Sequence, residues 1–112
     1  MIQAGQKKKI KYWGDFSVSK VAQLKKPVEC QCKELGVALF DPTIVKIRWE
    51  APPSGDRDEF WFPYCITIGG NEYQPRAAPM IGEQALLELL QDAIRQDFFS
   101  EDFLQGLREA IR

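Results

Sequence analysis

Three groupings of side chains in this sequence have the types and spacing that chemistry needs: a pair of thiols, a run of carboxylates, and lysines and an arginine alternating near tryptophans. Cys30 and Cys32 are two residues apart, and Cys65 is the only other cysteine. A structural zinc site is normally closed by four ligands. On the helix predicted for this stretch, residues two apart point about 200° from each other. The pattern therefore reads as a small core residue at Cys32 and a semi-exposed thiol at Cys30, with no metal and no cofactor implied.

Ser54-Gly55-Asp56-Arg57-Asp58-Glu59 gathers three carboxylates. Arg57 sits among them, and the regularly spaced oxygen ligands of a calcium loop are missing. Ser, Gly and Asp are what a solvated turn between strands contains. Glu83, Glu88 and Asp92 likewise read as the wet face of a later helix.

The chain has no histidine. That removes the commonest general base, the usual hydrolase triads and the most frequent metal ligand. No nucleophile elbow, phosphate-binding loop or dinucleotide fingerprint occurs, so no catalytic residue is assigned and an enzyme is not expected.

The basic and aromatic residues carry the sharper expectation. Thr43 to Glu50 and Glu59 to Ile68 both alternate, and Ala51 to Asp58 between them is turn-like. Matching the large apolar residues places Glu50 opposite Glu59, Trp49 opposite Phe60, Ile47 opposite Phe62 and Val45 opposite Tyr64. This register leaves Lys46, Arg48, Trp61 and Pro63 on the outer face, with Arg48 beside Trp61 as a cation over an indole. A strand over Lys7 to Trp13 would add Lys7, Lys9, Lys11 and Trp13 to that face. Such a surface, or the edge of that first strand, suits a protein partner, because Trp, Tyr and Arg are enriched at interface hot spots. The same face could take single-stranded nucleic acid, with lysines on phosphates and indoles stacked on bases.

These residues must be positioned by a frame, and the periodicity supplies one. From Ser19, Val21, Leu24, Val28, Cys32 and Leu35 recur at helical spacing up to Gly36, interrupted by Pro27. Gly69-Gly70 suits a two-residue turn with positive φ, placing Tyr73 opposite Ile66 on a return strand. Leu86, Leu87, Leu89, Leu90, Ala93 and Ile94 form a broad helical stripe over 82–96. Ser100 caps a second helix with Phe103, Leu104, Leu107 and Ile111 on its apolar side. The expected class is α+β, an antiparallel meander with a first strand and helices in the order β-α-β-β-β-α-α. The helix, three-stranded meander and helix across Ser19 to Gln96 are similar in order to the double-stranded-RNA-binding domain. That family's last helix starts with lysines, whereas 79–85 here reads Pro-Met-Ile-Gly-Glu-Gln-Ala. Any RNA contact the resemblance implies falls to the basic sheet face.

At 112 residues, with 45% hydrophobic and 28% charged residues, one globular domain over 1–112 is expected. No apolar run follows Lys7-Lys8-Lys9 and none approaches the length of a membrane span, so neither a secretory signal nor a membrane partner is expected. The odd number of cysteines points to a reducing, cytoplasmic setting. The net charge of −1 conceals a gradient. Residues 1–50 hold ten Lys/Arg against five Asp/Glu, 51–81 hold two against four, and 82–112 hold three against seven, so an anionic partner should meet the first half.

Overall fold

A computed structural model of the chain describes residues 2–53, 55, 57–74 and 80–112. It contains two compact units, Met1–Gly82 and Glu83–Arg112. The first is built on an antiparallel sheet of eight strands and the second on two helices, a mixed α+β chain.

The spine of the sheet is β4 (Gly36–Trp49), a 14-residue strand. One flank is β2 (Gly14–Gln23) followed by β3 (Val28–Cys32), and the other is β5 (Asp58–Trp61) followed by β6 (Tyr64–Ile68). Both flanks are interrupted at the same level of β4, around Pro42 and Thr43. Pro42 has no N–H to donate, and the neighbour on that side is the gap between Gln23, opposite Thr43, and Val28, opposite Phe40. On the other side Pro63 breaks the strand, yet Thr43 donates to its carbonyl from both N–H and Oγ1 at 3.0 Å. The register therefore runs unbroken from Val45 opposite Trp61 to Pro42 opposite Tyr64.

Short strands complete the edges. β1 (Lys7–Ile10) pairs with β2, β7 (Asn71–Tyr73) with β6, and β8 (Met80–Gly82) with β5. The β6–β7 hairpin turns at Gly69 and Gly70 with φ of 57° and 81°, and Tyr73 lies opposite Ile66 as the sequence predicts. Tyr73 itself is exposed.

The helix expected from Ser19 to Leu35 is absent: that stretch is most of β2, a connection through Pro27, and β3. A bulge between Val18 and Lys20 inserts one residue, so the inward side chains fall at Phe16, Val18 and Val21. The helical spacing from Val21 to Leu35 has another origin: Val21 lies in β2, Leu24 in the connection, Val28 and Cys32 in β3, and Leu35 in the following turn. Gly36 ends no helix; with Glu34 it supplies the positive φ of the β3–β4 turn.

Phe16, Val18, Val45, Ile47 and Trp49 form the core on one face, at 2% exposure or less. Burial of each such side chain is worth roughly 1.5–3 kcal/mol. Phe16 meets Trp49 and Trp61 edge-on, with centroids 5.3 and 5.7 Å apart. Beyond Pro42 the apolar positions of β4 change face, since there Ala38 is buried and Phe40 half-buried while Val37 and Leu39 are exposed.

In the second unit, α1 (Glu83–Arg95) and α2 (Glu101–Ala110) occupy the two predicted helical segments. Ser100 Oγ accepts from the Phe103 N–H at 3.2 Å, capping α2 as expected. Neither helix contains a buried residue, and no helix among the described residues is long and apolar enough to cross a membrane.

Candidate binding face of the sheet

The face opposite the core is defined by cross-strand rows. Lys7 lies opposite Ser17, Ser17 opposite Arg48, and Arg48 opposite Asp58. The next row is Lys20, Lys46, Phe60 and Ile81. Lys9, opposite Asp15, extends the face along β1 on the other side of the Arg48 row. Four of the predicted residues, Lys7, Lys9, Lys46 and Arg48, are thus brought to one face.

The other three are not. The turn between β1 and β2 comes earlier than Gly14-Asp15, so the ladder ends at Ile10 opposite Gly14. Lys11 and Trp13 belong to this turn, with Tyr12 at φ 72° and 93% exposed between them. The Lys11 ammonium sits 5.1 Å from the Tyr12 ring centroid. Trp61 is displaced more decisively. The β4–β5 pairing differs by three residues from apolar matching, an odd shift that moves alternate side chains through the sheet. Asp58 faces Arg48, while Trp61 lies opposite Val45 on the core side. No cation–indole pair forms there.

Arg48 instead makes a salt bridge to Asp58, Nε to Oδ1 at 2.9 Å. The hydrogen bond from Arg48 holds the Asp58 carboxyl below its ordinary range, and the same contact raises the Arg48 guanidinium. The carboxylate run is thereby dispersed: Asp58 pairs outward, Glu59 turns into the core, and Ser54 and Asp56 lie outside the described residues.

Lys20 is a member of this face that sequence reasoning placed on a helix. It stands directly opposite Lys46. Like charges directly opposite one another across a sheet are destabilising, so this pair is a local cost within the fold. Its signal in the sequence was the alternation of Phe16 and Val18, broken by the bulge.

Toward Pro42 the same face turns apolar. Ala22 and Ile44 follow Lys20 and Lys46, and with Leu24, Phe40, Phe62 and Tyr64 they line an open groove of about 490 Å³. Leu24 and Ile44 are each 47% exposed. One face therefore carries a basic half and an apolar half in direct continuity.

The thiols do not converge. On β3, Cys30 and Cys32 share a face because residues two apart on a strand point the same way, unlike the helical reading. Cys65 lies opposite Asp41 on β6, and burial followed by the nearby Glu72 carboxylate pushes its thiol up, away from a reactive thiolate. All three cysteines are free, and among the described residues no group of three His, Cys, Asp or Glu is placed to hold a metal ion. Comparison with protein-family models, curated proteins and solved structures finds no match for this chain.

Proposed function

We propose that this chain is a small, non-enzymatic intracellular interaction module that binds a protein partner across the outer sheet face. The observation that carries the reading is the Lys20–Lys46 pair beside the Leu24–Ile44 groove. A segment presenting carboxylates next to apolar side chains would relieve the like-charge cost and cover the apolar half at once. Electrostatic complementarity of this kind speeds encounter and fixes register, while buried apolar contacts supply most of the affinity. Three free cysteines are in keeping with a reducing compartment.

A stacking surface for nucleic acid is less well supported, because Trp61 is on the core side and only Trp13 remains exposed. The test is an affinity pull-down from native extract, with and without nuclease. A partner retained after nuclease treatment, lost with Lys46→Glu and with Ile44→Asp, and kept with Lys33→Glu in the β3–β4 turn is the expected result. Capture abolished by nuclease, or unchanged by Lys46→Glu and Ile44→Asp, overturns the reading.

A further inference from the structure

Among the described residues, the edge of β3 is one that its own sequence does little to blunt. Natural sheets blunt their edges with very short strands, lysines or bulges. β7 and β8 are three residues long, β1 carries Lys7, Lys8 and Lys9, and the part of β2 beyond β1 carries Lys20 and the bulge at Val18–Lys20. By contrast β3 is five residues, Val28-Glu29-Cys30-Gln31-Cys32, with one charge, Glu29, and no bulge, and among the described residues it pairs with β4 alone. Four of its five residues are exposed.

We propose that β3 pairs antiparallel with β3 of a second copy, about a two-fold axis at Cys30, to join two sheets into one. The register follows from the backbone. The Leu35 N–H bonds to the Cys32 carbonyl at 3.2 Å in the turn, and Cys32 pairs with Gly36 as the last rung before it. In the alternation of an antiparallel ladder, Cys32, Cys30 and Val28 then direct their backbone groups to β4, while Glu29 and Gln31 direct theirs to the open edge. A two-fold centred on Cys30 sets Glu29 opposite Gln31 of the second copy, and the reverse, so the four residues with free backbone groups satisfy one another.

Side chains agree with this register. Val28 falls opposite Cys32 of the second copy, and the Glu29–Gln31 rungs place no like charges together. A closed two-fold of this kind is isologous and stops at a dimer. The contact does not depend on the partner proposed for the sheet face, since it uses the edge rather than the Lys46–Ile44 surface.

The test is sedimentation equilibrium of the full chain under reducing conditions, with three sets of variants. The wild type is expected to dimerise reversibly with concentration. Gln31→Glu sets a carboxylate against Glu29 of the second copy on both rungs and is expected to raise the dimer dissociation constant roughly tenfold. Adding Glu29→Lys restores opposite charges and the wild-type constant, which an unfolded variant would not do. In a Cys32→Ser/Cys65→Ser background, with the reductant removed, Cys30 should be crosslinked by diamide: two thiols give up two protons and two electrons to the diazene, which becomes the hydrazine, as the S–S bond forms. Non-hydrogen-bonded pairs lie about 4.5 Å apart at Cα, inside the disulfide range. A monomer at all concentrations, or a dimer indifferent to Gln31→Glu and uncrosslinked through Cys30, overturns the proposal.

Discussion

Nε1 of Trp49 donates a 2.6 Å hydrogen bond to Oε1 of Glu59, and both side chains are buried on the core face of the sheet. Glu59 lies opposite Ile47, so its carboxylate reaches diagonally to the indole. A buried donor left without its acceptor costs about 1–3 kcal/mol. Glu59→Leu is therefore expected to lower stability by about that amount despite adding apolar surface, whereas Glu59→Gln, which keeps an acceptor oxygen, loses less. Urea unfolding of the two variants decides it; equal losses would show that the hydrogen bond is not what holds the register.

Trp61 and Trp13 should separate in the same experiment. Trp61 is packed edge-on against Phe16 beside the core, while Trp13 is 59% exposed in a turn. Trp61→Ala is expected to cost about 2–3 kcal/mol, below the range for a fully buried ring, and Trp13→Ala to stay within about 0.5 kcal/mol. A Trp61 substitution that binds poorly thus reports on folding first. If Trp61→Ala leaves the urea midpoint unchanged, the inward placement is wrong.

What could be read from the sequence was local. Gly69-Gly70 forces a tight turn, so the Ile66–Tyr73 pairing was legible, as was the Ser100 cap. The alternation at Lys7, Lys9, Lys46 and Arg48 put those four on one face without any knowledge of the partner strands. Register across the long 51–57 connection was not legible, because apolar matching rejects an inward acid and the chain instead buries Glu59 on Trp49. Nor was β2–β3, where apolar residues of two strands, the connection through Pro27 and a turn fall at helical spacing. Lys20 was lost from the site for that reason alone. The groove was hidden because it needs Leu24, Ile44, Phe62 and Tyr64 from separate strands.

Arg48 and Asp58 give the face its pH dependence. The Asp58 carboxyl is lowered first by the hydrogen bond from Arg48; burial opposes this, and the individually smaller effects of the Arg48, Lys46 and Arg57 charges add to the lowering. A depressed folded-state value means that the pair stabilises the β4–β5 ladder above the carboxyl's unfolded value, and that this contribution fades as pH falls through the folded one. Asp58→Asn is thus expected to unfold more easily than wild type at neutral pH, with the difference closing in acid and shrinking in high salt, since the pair is exposed. The same substitution leaves the Arg48 guanidinium without its carboxylate beside Lys46, so capture of an acidic partner should tighten while stability drops. Thermal unfolding at several pH values, paired with the pull-down, reads both; a stability difference that persists unchanged at acid pH would assign the effect of Asp58 to something other than its charge.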